Sequence, residues 1–214
     1  MAAQNQIIEL RTDKKGNENT LNISDQLIEL QKDQKKHDEK YHKEVCALTV
    51  HQRINHMALH FAKYTGQLAQ ISTSSPPINQ EMLQRTVVDT FVISMICANM
   101  FNLNLSNHIQ EIADKHIVNL RDLGMHLGES TKIKKSGFGW YMVSLAVANG
   151  NIAKACEKLD HLEAYPYKEE ILKNVIEIVK STMMAAAQLN FDLDTATRQR
   201  WEEVAKRSIF YEKP

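Results

Sequence analysis

Chain reversals are made mostly of glycine and proline, and this chain has few of either: seven glycines and four prolines in 214 residues. A β-sandwich or barrel needs a turn every 8–12 residues or so, which that supply does not cover. Long helices need few breaks, so an all-α fold is expected, a helical bundle. The length allows one large domain or two small ones. At this size a folded chain buries about 70% of the surface its unfolded form exposes. Hydrophobic residues are 43% and charged residues 24% of the chain, an ordinary globular mixture.

Lys and Arg number 26, as do Asp and Glu. Non-specific nucleic-acid binding and membrane-surface attachment both favour net positive charge, so neither is expected. Cys46, Cys97 and Cys156 are far apart, odd in number and without a CxxC pair. That spacing excludes a zinc ribbon and argues against a disulfide framework. Cys97 lies in an apolar run and reads as a buried thiol. The opening residues carry no apolar signal core, and the longest apolar stretch, 87–100, is broken by Asp89, Thr90, Ser94 and Asn99. A cytoplasmic protein is the expectation.

Residues 1–45 are dominated by Gln, Asn, Lys, Asp and Glu. They predict a polar arm and then a solvated helix from Ser24 or Asp25. The arm either clasps a partner subunit, in an expected homodimer, or is a disordered tail. Thr49-Val-His-Gln52 is a capping box. Ile54, Met57, Ala58, Phe61, Ala62, Thr65, Leu68 and Ala69 then mark an amphipathic helix over 50–71. Asn79 caps a predicted helix over 80–102, apolar nearly all round and so central to the bundle. Ser106 is expected to cap a helix over 107–123. Residues 124–139, with four glycines and three lysines, read as a linker. Helices over 140–160, 167–190 and 194–208 complete the series, with Pro166 at a helix start and Asp194 as an N-cap.

The two halves, 46–123 and 140–214, repeat one another. With Gly66 over Gly150, 84 positions on, Ala62 and Ala69 fall on Ala146 and Ala153. With Asp89 over Glu177, 88 positions on, Val87, Met95, Ala98, Asn102 and Leu105 fall on Val175, Met183, Ala186, Asn190 and Leu193. The order of elements is the same, which favours an internal duplication with four extra residues in the second loop.

Ala62-Lys-Tyr-Thr-Gly-Gln-Leu-Ala69, Ala146-Val-Ala-Asn-Gly-Asn-Ile-Ala153, the turns Phe101-Asn-Leu-Asn-Leu105 and Leu189-Asn-Phe-Asp-Leu193, and the segment Gln199-Arg-Trp-Glu-Glu-Val-Ala-Lys-Arg207 carry a resemblance. Over residues 50–210 each half resembles the MazG-like, all-α nucleoside triphosphate pyrophosphatases. The resemblance implies a bundle in which carboxylates from two facing helices hold Mg²⁺ against a triphosphate and help activate water. Acids three or four residues apart share a helix face and can surround one ion.

The chain departs from that pattern at the metal. On the first helix the implied acid positions hold Lys63, Tyr64 and Gln67 in one half and Val147, Ala148 and Asn151 in the other. On the second helix they hold Thr86 and Asp89, then Asn174 and Glu177. One carboxylate per half is poor support for Mg²⁺, so no cofactor and no metal is expected. The resulting expectation is a divergent or non-catalytic member that binds a nucleotide or other phosphate ligand through Lys63, Tyr64, Gln67, Thr86 and Asp89. Lys63 and Asp89 are expected to form an ion pair where the metal would sit, and Val147 and Ala148 to plug the second pocket. An active Mg²⁺-dependent pyrophosphohydrolase would need acids from elsewhere, such as Glu157, Glu163, Glu169 or Glu170. A helical protein-interaction adaptor is the remaining alternative.

Three other features read as structural. His56 and His60, with His51 before them, have the spacing of two zinc ligands but no evident third. Lys132, Lys134 and Lys135 beside Gly137 and Gly139 lack P-loop spacing and read as solvated. Trp140, Met142, Met183 and Met184 are core candidates; Trp201 is either core or an interface anchor.

Overall fold

The computed structural model describes residues 22–73, 79–109, 117–131 and 137–212. Among them the chain is all-helical and has no strand. The order is α1 (Ile23–Tyr41), α2 (Lys43–Cys46), α3 (Val50–Thr73), α4 (Gln80–Met100), a 3₁₀ turn (Leu105–Asn107), α5 (Leu120–Ser130), α6 (Gly139–Asp160), α7 (Tyr167–Gln188) and α8 (Leu193–Ala205). No described helix is long and apolar enough to cross a membrane. The polar arm and the lysines of 132–135 lie outside the described residues.

Helices α3, α4, α6 and α7 form the central bundle: α3 packs on α4 and α6, and α7 packs on α4 and α6. The expected capping box starts α3, with Thr49 N–H donating to Gln52 Oε1 at 3.1 Å and Gln52 N–H to Thr49 Oγ1 at 3.3 Å. The α3 stripe Ile54, Met57, Phe61, Tyr64, Leu68 and Ile71 is buried at helical spacing. Helix α4 is buried on nearly every side. Its polar core residues are satisfied within the helix. Thr86, Thr90 and Ser94 hydroxyls each donate to the carbonyl one turn back, at 2.7, 2.7 and 2.6 Å.

Several features recur at the two offsets. Gln67 Oε1 accepts from Thr86 Oγ1 at 3.4 Å, and Asn151 Nδ2 donates to Asn174 Oδ1 at 3.0 Å. Helices α4 and α7 both end on a left-handed asparagine, Asn102 (φ 54°) and Asn190 (φ 59°). In each case the next residue's N–H returns to the helix, Leu103 to Ala98 O and Phe191 to Ala186 O. Asn104 and Asp192 then accept from the N–H of Ser106 and Asp194.

Beyond that turn the halves diverge from the expectation. Residues 105–107 make only a 3₁₀ turn, with Asn104 as its cap instead of Ser106, and residues 110–116 of the expected helix lie outside the described residues. The next described helix, α5, capped by Asn119, takes in 120–123, the end of that expected helix, and 124–130, read as linker. Gly124 allows close packing: a Cβ there would sit 2.3 Å from Met183 O of α7. Composition alone cannot distinguish such a contact from a flexible tether. Likewise Asp192, not Asp194, caps α8, and Pro166 sits one residue before α7.

Helix α1 is also less solvated than expected. Leu27, Leu30 and Gln34 are wholly buried, with Gln31 and Asp38 nearly so. Gln31 explains how a polar stretch can dock. Its Nε2 donates to Leu103 O at 2.8 Å, its Oε1 accepts from Leu105 N–H at 2.9 Å, and its backbone carbonyl accepts from Asn99 Nδ2 at 2.8 Å. Helix α8 closes the same side by packing on α1 and α4.

Candidate functional site

A cavity of about 270 Å³ lies between α1, α3, α4 and α8. Each wall follows from a helix face already described. Helix α3 supplies Arg53, His56, His60 and Lys63, which recur at three and four residues beside the buried stripe, and Tyr64 from the stripe itself. Helix α4 supplies Asp89 and the apolar Val92, Ile93 and Ile96. Helix α8 and the residues after it add Arg200, Trp201 and Arg207, while α1 and its end add His37, Asp38 and His42.

Of the residues expected to bind ligand, Lys63, Tyr64 and Asp89 line this cavity. Gln67 and Thr86 meet one another, but they are not part of its lining. The expected Lys63–Asp89 ion pair does not form. Arg200 takes the Asp89 carboxylate instead, with Nε donating to Oδ1 at 2.5 Å and Nη2 to Oδ2 at 3.2 Å. A planar guanidinium fork matches both carboxylate oxygens, which a single ammonium cannot. Lys63 turns to His60, its Nζ 3.3 Å from Nδ1. Nothing adjacent in sequence announces Arg200. The usable signal was an acid within an apolar helix, which demands a buried cation from somewhere.

Arg53, Lys63, Arg200 and Arg207 are cations, against the carboxylates of Asp38 and Asp89. Arg53 Nε is buried and has no hydrogen-bond partner. His60 is held neutral: burial first, then Lys63 and His56, lower its pKa to about 4. Burial raises the Tyr64 phenol, with Asp89 adding to the effect. Cys46 also borders the cavity, but burial raises its thiol, so it is not a ready thiolate nucleophile. The arrangement can bind an anion beside an apolar patch. Its two carboxylates already have side-chain partners, Asp38 in Gln34 and Asp89 in Arg200.

His56 Nε2 and His60 Nε2 lie 3.2 Å apart, while His51 turns away to Asp160 at 2.7 Å. Among the described residues no third His, Cys, Asp or Glu joins His56 and His60 at ligand spacing. Glu157, Glu163, Glu169 and Glu170 are absent from the cavity wall, and Glu163 pairs with Lys158. In the other half Val147 and Ala148 do not plug a pocket. With Asn151, Asn174 and Glu177 they line an open groove of about 510 Å³, and Val147 is largely exposed. Trp201 is core: its Nε1–H donates to the buried Gln34 Oε1 at 2.5 Å. Met183 and Met184 are buried, and Trp140 and Met142 pack on the core in part. All three cysteines are free, Cys97 fully buried.

No family model, no curated protein and no solved structure matches this chain.

Proposed function

We propose that the cavity binds a phosphate-bearing ligand, and that the chain is a divergent relative of the MazG-like pyrophosphatases, built from two related units, that does not hydrolyse it. The observation that carries this reading is the cationic wall: two cations in excess over carboxylates, with one guanidinium nitrogen buried and unpartnered. Desolvated guanidinium groups favour phosphate oxygens through short, charge-assisted hydrogen bonds. Met57, Val92, Ile93 and Ile96 provide an apolar surface for the rest of the ligand. At about 270 Å³ the cavity is at the small end of ligand sites. A nucleoside monophosphate therefore fits better than a triphosphate. The recurrence of the Gln67–Thr86 and Asn151–Asn174 contacts, and of the two asparagine turns, supports the duplication.

Thermal denaturation with nucleotides and inorganic phosphate tests this. At a ligand concentration about 100 times Kd the stabilisation is about 2.7 kcal/mol, a rise of roughly 5–10 °C for a chain of this length. The rise is expected without Mg²⁺ and is lost in Arg53→Met. Pyrophosphate release from triphosphates stays below about 1 per second with Mg²⁺. No thermal shift at millimolar ligand, or turnover within the usual enzymatic range, overturns the proposal.

A further inference from the structure

At the C-terminal end of α1 three side chains converge, His37, Asp38 and His42; of these the phosphate reading uses only the charge of Asp38. Their potential ligand atoms all lie within 4.8 Å of one another. We propose that they form a binding site for a divalent transition metal of the zinc class.

His37 is the central observation. Its side chain is only 9% exposed, and its Nδ1 is buried with no hydrogen-bond partner. Its other nitrogen, Nε2, lies 3.0 Å from the carbonyl oxygen of Trp201. A carbonyl only accepts, so this contact fixes the proton on Nε2 and leaves the Nδ1 lone pair free. A metal-bound imidazole is held in this way, with its outer N–H donated to a carbonyl or carboxylate. The ring is further held by Tyr41, at 5.0 Å between centroids, and by stacking on Trp201.

Asp38 is oriented as well. Its side chain is 10% exposed, and Oδ1 accepts from Gln34 Nε2 at 2.8 Å. Gln34 is fixed in turn by the Trp201 indole. His42 follows the last helical residue with non-helical backbone angles, φ −129° and ψ 44°, and this break brings its ring to 5.5 Å from that of His37. The His42 side chain is 32% exposed, which leaves a path for an ion to enter. The end of a helix carries partial negative charge, which also favours a cation.

The donor set selects the metal. Two imidazoles and one carboxylate suit zinc, cobalt or nickel, whereas Mg²⁺ prefers oxygen ligands alone. Tetrahedral bonds of about 2.1 Å place ligand atoms about 3.4 Å apart. His37 Nδ1 and Asp38 Oδ1 are 3.9 Å apart and no pair of ligand atoms is more than 4.8 Å apart, so side-chain rotations that draw them inward by up to about 1.4 Å close the site. Three protein ligands leave a fourth position, and because all three residues border the cavity it opens there.

The test uses metal alone on the chelator-treated full chain, with no phosphate present, so that it stands or falls separately from ligand binding. Zn²⁺ calorimetry should show one equivalent bound, and Co²⁺ should give intense visible bands of a tetrahedral site. His42→Gln and Asp38→Asn should each weaken binding at least tenfold or so, while His56→Gln leaves it unchanged. His42 is partly exposed, so its variant keeps the fold even where Asp38→Asn does not. Absence of stoichiometric binding, unchanged affinity in His42→Gln, or loss in His56→Gln instead overturns the proposal.

Discussion

Asp89 and Arg200 show how one charge sets a local structure. Their side chains are 18% and 12% exposed, so most of their hydration is gone. The forked contact replaces that hydration, and Glu203 holds the guanidinium from the other side at 2.9 Å. Removing one partner leaves the other charge stranded, which costs about 3–5 kcal/mol when burial is complete. With this residual exposure, Arg200→Met should cost about 2–3 kcal/mol in urea unfolding. Arg200→Met and Asp89→Asn should be non-additive by more than about 1 kcal/mol, whereas Lys63→Met and Asp89→Asn should add within about 0.5 kcal/mol. Additivity for Arg200 and Asp89 would mean that the contact is not formed in solution. The sequence made Asp89 conspicuous, and helix periodicity placed Lys63 and Tyr64 on the same wall. The same period puts Arg53 on that wall, but periodicity carries no information between helices, so Arg200, Arg207 and His37 became site residues only once α1 and α8 had docked.

At the scale of the helix, α5 against α7 is the most demanding contact. Any side chain on Gly124 collides with the Met183 backbone, and backbone cannot turn aside as a rotamer can. Gly124→Ala should therefore destabilise by about 1–3 kcal/mol. Gly150, within α6, has open space around it, so Gly150→Ala should stabilise by about 0.5–1 kcal/mol. Thermal melts of the two variants should move in opposite directions; a shared direction would place α5 elsewhere. The long helices α3, α4, α6 and α7 were legible because their buried positions are apolar at helical spacing. Burial of α1 was not, because past Leu30 its inward positions are Gln31, Gln34 and Asp38, which are buried by hydrogen bonds. Helix α5 was not, because glycine marks both flexible tethers and close packing.

For the molecule as a whole, His60 couples stability to acidity. Folded, it titrates near pH 4, against an ordinary value of 6.5. Well above pH 6.5 it is neutral in both states and has no effect. Between 6.5 and about 4 the unfolded chain takes up a proton that the native chain refuses, so stability falls as pH falls. His60→Gln should flatten this part of the profile in denaturant titrations; an unchanged slope would reject a neutral, buried His60. The cavity also has a temporal consequence. Asp89 precedes its cation by 111 residues, and Gln34 precedes the Trp201 indole by 167. At about 5–20 residues per second of synthesis, a nascent chain carries Asp89 for roughly 5–20 s before Arg200 exists. During that interval α4 holds an acid among apolar neighbours without its cation. Docking of α8 is thus the last step that completes the cavity wall, and a ribosome stalled before α8 leaves Asp89 and Gln34 without the partners that α8 supplies.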